Sequence, residues 1–211
     1  MTDAVSVPVE LFLDYNCPFC YVASERLDRI SRQYPLAIHY RFIETQPGNP
    51  RLGSLVDAGD ASAAGETTQG ALRALIDYDQ LPLADERRVT NSRQALLLAH
   101  TVMTYRPAAF PDFHRALFRR HFADGAPIGD PEILRCLAAE HALSDLLETA
   151  WSTREALHGL LNDVESAQQR GLTSVPTLVV GERAFEGAVS VVTLETALAK
   201  QSRQGEPGET P

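Results

Sequence analysis

The chain has 211 residues, 44% of them hydrophobic, enough to bury the core of one domain, or of one domain carrying an insertion, without cross-links. Its formal net charge of -9 and sequence pI near 5.1 oppose phosphate backbones and anionic lipid, which argues against nucleic acid or a membrane surface as a main partner. No run reaches the roughly 20 apolar residues of a bilayer span, and residues 1–8 lack the basic start and apolar stretch of a secretory signal, so a cytoplasmic location is expected.

Val7–Leu13 is a short apolar run that reads as a buried strand, with Pro8 tolerated near its start. Asn16 is a good N-cap type and Pro18 suits a first helical turn; Ala23, Leu27, Ile30 and Tyr34 then recur at spacings of four, three and four. Residues 36–43 are rich in strand formers, completing a β-α-β unit whose strands pair in parallel and whose helix starts at the carboxyl end of the first strand. Residues 45–66, rich in Gly, Pro, Ala and Ser, predict a long surface loop.

Helical spacing follows at residues 71–76, at Leu96, Ala99 and Met103, at Phe110, Phe113 and Leu117, at Ile133, Leu134 and Leu137, and at Leu157, Leu161 and Val164. Thr177–Val180 and Arg183–Glu186 flank Gly181-Glu182 as a hairpin, and a helix is expected over residues 191–200. The polar residues 201–211 read as a disordered tail. The organisation is therefore a discontinuous α/β unit of residues 1–45 and 165–200, interrupted by a loop and helical insertion over residues 46–164.

Chemistry concentrates at Cys17-Pro18-Phe19-Cys20, where the first strand meets the first helix. Unpaired amides and the macrodipole at a helix start favour negative charge, so Cys17 is the expected nucleophile and Cys20, deeper in the turn, the resolving thiol. Two other uses of the pair stay open. A Cys-x-x-Cys can be half of a zinc site, but Cys136 stands alone and the six histidines show no close ligand spacing. A structural disulfide is disfavoured in a reducing compartment. Cys136, between Leu134 and Leu137, is read as a buried, inert thiol. None of the six histidines is assigned to a site, and Phe110, Phe113, Phe118 and Phe122 are read as the core of the insertion.

A second segment, Ser174-Val175-Pro176-Thr177, puts a proline just before an apolar strand. Taken together, the apolar strand, Cys-Pro-Phe-Cys-Tyr, helix, second strand, helical insertion and Val-Pro-Thr before a hairpin resemble the DsbA-like thioredoxin family. The stretch Asn91-Ser92-Arg93-Gln94-Ala95 through Ala99-His100 looks more narrowly like its FrnE-type cytoplasmic members.

The resemblance implies a thioredoxin-like fold interrupted by a helical insertion, and thiol-disulfide exchange through Cys17 and Cys20 without a bound cofactor. It implies that Val175-Pro176 is cis and lies against Cys17, with Val175, Pro176 and Thr177 forming a substrate-binding segment, and that Pro18 and Phe19 tune the redox potential. Some members carry His in place of Phe19; a phenyl ring cannot donate a hydrogen bond to a thiolate, so a milder, less oxidising pair is predicted. Two departures stand out. Leu11 occupies a position where some members bury a glutamate, which leaves the proton acceptor for Cys20 unassigned, and the additional C-terminal cysteine pair of some FrnE-like proteins is missing.

Expected partners are protein or small-molecule dithiols and disulfides, glutathione among them. Hydroxychromene-carboxylate isomerases and kappa-class glutathione transferases share this architecture, usually without the paired cysteines, so a glutathione-dependent isomerase is the first rival reading. A non-catalytic redox-sensing module is the second.

Overall fold

The computed structural model describes residues 6–55 and 63–204. Strand β1, Val7–Leu13, buries Val9, Leu11 and Leu13 on one face and Phe12 on the other, the pattern of a central strand covered on both sides. It pairs in parallel with β2, Leu36–Phe42, Val7 opposite Leu36 and Leu13 opposite Phe42. On its other edge it pairs antiparallel with β5, Thr177–Val180, Leu11 opposite Leu178. Gly181, at φ 60°, turns β5 into β6, Arg183–Glu186, to give the order β2-β1-β5-β6. A left-handed turn residue is what a tight hairpin needs.

Helix α1, Pro18–Ser31, links β1 to β2 and buries Ala23, Leu27 and Ile30, as their spacing predicts. It packs on one face of the sheet beside α8, Val191–Gln204, which contributes Leu194, Ala197 and Leu198. Phe12 and Val179 meet Ala167 of α7, Glu155–Gln169, on the other face. The buried carboxylate of Asp163 accepts the Phe42 N–H at 2.8 Å, tying α7 to β2. The boundary expected at residue 164 therefore falls inside a helix that lies on the sheet.

Between the β-α-β unit and α7 stand a two-stranded ribbon, β3 Ser54–Leu55 with β4 Arg88–Val89, and α2 Ala63–Asp79, α3 Arg93–Tyr105, α4 Phe110–Phe122 and α5 Pro131–Glu140. A 3-10 turn, Ser144–Leu146, runs into α6, Leu147–Ser152. Phe110, Phe113, Phe118 and Phe122 are buried as read, but their core is shared with the sheet and α1. Tyr15 and Phe118 have ring centroids 4.8 Å apart, Tyr40 and Phe110 5.0 Å, and Tyr21 and Phe122 stack at 5.5 Å, contacts that add to simple area burial.

Several expectations are corrected. The long loop is interrupted by β3, and its last residues, 63–66, already belong to α2, where alanine and glutamate favour helix. The expected tail begins as helix: α8 continues to Gln204, the first breaker being Gly205, and residues 205–211 lie outside the described residues. Cys136 is exposed, not buried. The inward stripe of α5 is Leu134, Leu137 and Ala138, and one residue before Leu137 is a rotation of about 100° onto the outer face.

Candidate functional site

The chain leaves β1 through Asp14-Tyr15-Asn16, a turn that the buried Asp14 organises. One carboxylate oxygen of Asp14 accepts the Asn16 N–H at 3.0 Å, and the other accepts the Thr45 N–H at 2.9 Å and the Thr45 hydroxyl at 2.7 Å. The Cys17 N–H donates to the Asp14 carbonyl at 3.1 Å. Asn16 accepts the Thr90 N–H at 3.1 Å, so the turn is clamped between the exit of β2 and the exit of β4. Gly129 completes the clamp: its N–H donates to the Thr90 hydroxyl at 3.2 Å, and a Cβ there would collide with the Arg51 carbonyl.

Cys17 occupies the N-cap of α1 with extended backbone, φ -95° and ψ 116°, and no side chain caps the helix. Its thiol is half-buried and donates to the Val175 carbonyl at 3.6 Å. Cys20 is fully buried one turn on. The Cys17 thiol is held below its ordinary value, chiefly by a hydrogen bond from the Cys20 thiol; burial opposes this, and the Cys20 and Phe19 amides reinforce it. The Cys20 thiol is pushed well up, first by burial and then by Cys17 itself. The two thiols thus differ, Cys17 shifted toward the thiolate and Cys20 toward the protonated form. Both are free thiols in this structure.

The Val175–Pro176 peptide bond is cis. Pro176 is buried and its carbonyl accepts the Gly187 N–H at 2.8 Å, while the buried Thr177 hydroxyl donates to the Ser174 carbonyl at 2.7 Å. The seven residues singled out in the sequence, Cys17, Pro18, Phe19, Cys20, Val175, Pro176 and Thr177, are brought together by these contacts, across 158 positions of chain between Cys17 and Val175. Beside them a small groove of about 100 Å³, lined by Phe12, Ile43, Thr45, Leu172 and Val175 among others, opens next to Val175.

Sequence reasoning missed the polar groups beneath the turn. Asp14 is one. Another is His114, whose Nδ1 lies 2.6 Å from the Tyr15 hydroxyl and whose Nε2 lies 2.5 Å from the Ser24 hydroxyl. Burial pushes the His114 imidazole down to about 3, so it is neutral, and Tyr15 and Ser24 must take opposite donor and acceptor roles. His121 on α4 is also buried, its Nδ1 2.9 Å from the Ala126 carbonyl. Among the described residues, no group of three or more His, Cys, Asp or Glu side chains is placed to hold a metal ion.

The family model for the DSBA-like thioredoxin domain matches residues 8–199. A 2-hydroxychromene-2-carboxylate isomerase from Pseudomonas putida is 23% identical over 200 residues, 93% of this chain and 96% of the relative. A probable DsbA oxidoreductase from Streptomyces coelicolor superposes with a TM-score of 0.80 at 21% identity, covering 97% of this chain and 94% of that one. A solved 2-hydroxychromene-2-carboxylate isomerase superposes at 0.75 with 18% identity, covering 93% and 97%. At these identities the solved structures speak for the fold and leave the reaction to be argued from the site.

Proposed function

Since this chain belongs to the DSBA-like thioredoxin domain family, what remains is the reaction, and we propose thiol-disulfide exchange through Cys17 and Cys20. The observation that carries this reading is the split between the two thiols, Cys17 lowered at an uncapped helix start and Cys20 buried and raised. The Cys17 thiolate attacks one sulfur of a substrate disulfide, and the other substrate sulfur leaves as a thiolate. Cys20 then attacks Cys17 Sγ, forming the Cys17–Cys20 disulfide and releasing the second substrate thiol; the reverse sequence oxidises a dithiol. No bound cofactor is needed.

The substrate is a protein or small-molecule disulfide or dithiol, with glutathione as a small thiol partner. An extended peptide would lie along Val175, Pro176 and Thr177, with the groove beside Val175 receiving an apolar side chain. Pro18 and Phe19 would set the potential between the two sulfurs.

A second reading has support in the isomerase relatives: a glutathione-dependent isomerase in which one thiol or none takes part. The experiment that separates them is turnover on a disulfide substrate by the wild type, Cys17→Ser and Cys20→Ser. Loss of turnover in both variants, with Cys20→Ser trapped as a mixed disulfide, is expected. Full glutathione-dependent isomerisation in the Cys20→Ser variant, without disulfide turnover in the wild type, would install the isomerase reading instead.

A further inference from the structure

Tyr15 stands in the turn before the nucleophile and Ser24 on the body of α1, and one imidazole from another helix joins them. His114 of α4 has Nδ1 2.6 Å from the Tyr15 hydroxyl and Nε2 2.5 Å from the Ser24 hydroxyl. The stretch of chain between the two hydroxyls contains both cysteines. Tyr15, Ser24 and His114 are all buried. The imidazole is seated among the rings of Tyr40, Phe118 and Phe110, with centroids 4.6, 5.1 and 5.3 Å away, so the bracket is fixed to the core as well as to α4.

Ser24 lies on the stripe of α1 that carries the thiols. Cys17, Cys20 and Ser24 follow at spacings of three and four, which makes them neighbours on one helix face. Asp14 and Asn16 tie the turn to Thr45 and Thr90, after β2 and β4; His114 ties the same turn to the body of α1. A rotation of the turn that presents Cys17 against the stripe that presents Cys20 therefore stretches one of the two hydrogen bonds. Burial keeps the imidazole neutral, its pKa pushed down to about 3, so one ring nitrogen donates and the other accepts, and the two hydroxyls match them.

We infer that His114 is a positioning residue for the thiol pair: by bracketing Tyr15 to Ser24 it holds Cys20 where it can resolve the mixed disulfide on Cys17. This rests on the oxidoreductase reading of Cys17 and Cys20. The bracket carries no proton or electron in the exchange. It acts on the orientational freedom that Cys20 must lose to reach Cys17, the quantity that sets how readily an intramolecular step proceeds.

The test reads the effective concentration of Cys20 toward Cys17 in the full chain, with Cys136→Ser as background. This is the equilibrium constant for the Cys17–Cys20 disulfide in glutathione buffers, divided by that for the Cys17–glutathione disulfide in a Cys20→Ser variant. Tyr15→Phe removes one hydroxyl and keeps the ring; Ser24→Ala removes the other. Each is expected to lower the effective concentration about fivefold, as for one lost hydrogen bond, a potential about 20 mV less reducing, with the Cys17–glutathione constant unchanged. The double variant is expected to fall by about the same fivefold, because either loss opens the bracket. His114→Phe, which offers neither nitrogen, is expected to match it. Urea unfolding of the reduced and oxidised forms identifies a role in stability alone, which weakens both forms equally and leaves the effective concentration where it was. That outcome, or single effects that multiply to about twenty-five-fold in the double variant, would overturn the inference. A wild type that takes up glutathione at Cys17 but forms no Cys17–Cys20 disulfide would instead overturn the reading of the two thiols as a redox pair.

Discussion

Helices α1 and α5 each carry a proline in the first turn and a cysteine, yet they are built to different ends. At α5 the N-cap is Asp130, whose side chain accepts the Glu132 N–H at 2.9 Å, and Cys136 lies out on the exposed face. At α1 the N-cap is Cys17 itself, with no side-chain cap, so the first-turn amides of Phe19 and Cys20 remain to favour its thiolate. Leaving a helix start uncapped forgoes about 1 kcal/mol. The rest of α1 compensates with buried polar ties: Arg26 pairs with Asp79 at 2.7 Å and donates to the Ala188 and Val189 carbonyls at 2.7 and 2.9 Å, and Ser24 bonds His114. Helix α5 rests on Leu134, Leu137 and Ala138 and adds an exposed Arg135–Glu132 pair, which contributes little. Helix α1, whose uncapped start presents Cys17, is thus tied along its body by buried polar contacts, whereas α5, with its start capped, rests on its apolar stripe.

The largest effect that would break this contrast is at Asp79. Asp79→Ala strands the Arg26 guanidinium, 3% exposed, and is expected to cost about 3–5 kcal/mol in urea unfolding; a loss below about 1 kcal/mol would mean the ties on α1 are ornamental. Next comes thiol reactivity. Because Cys17 is lowered, its thiolate fraction at pH 7 exceeds that of an ordinary thiol, and its alkylation rate should level off before pH 9.0. Cys17 is therefore expected to react about tenfold faster than the more exposed Cys136, read by mass spectrometry after brief iodoacetamide treatment; faster loss of Cys136 would show that exposure, not the helix start, governs reactivity. The smallest effect is at the capped helix. Asp130→Ala should lower stability by about 1 kcal/mol and leave the alkylation rate of Cys17 unchanged.

The features legible in the sequence were those carried by local pattern. Val7–Leu13 and Thr177–Val180 are apolar runs bounded by turn residues, and Pro18 with the spacing of Ala23, Leu27 and Ile30 announces α1. The meeting of Cys17 with Val175 came from a family resemblance, since no local pattern joins them. What was not legible rests on side chains that find each other only in three dimensions. His114 meets Tyr15 and Ser24 across 99 and 90 positions, Arg26 meets Asp79 across 53, and nothing near any of them marks the pairing. Asp14 reads as an ordinary turn residue until Thr45 is seen to donate to it twice. The 3-10 turn and α6 are too short to establish a helical period, and Cys136 is exposed because adjacency to two leucines in sequence is not adjacency on a helix face.

The central claim is that Cys17 and Cys20 form a reversible redox pair, and it is met most directly by equilibrating the protein in glutathione buffers of known ratio and reading the state of the two thiols by alkylation and mass spectrometry. The expected result is a Cys17–Cys20 disulfide that forms and dissolves with the buffer, with a potential on the reducing side of the strong oxidants at about -120 mV and toward the reductases at about -270 mV. A chain in which Cys17 takes up glutathione but no Cys17–Cys20 disulfide appears at any ratio would contradict the account and favour the glutathione-dependent isomerase.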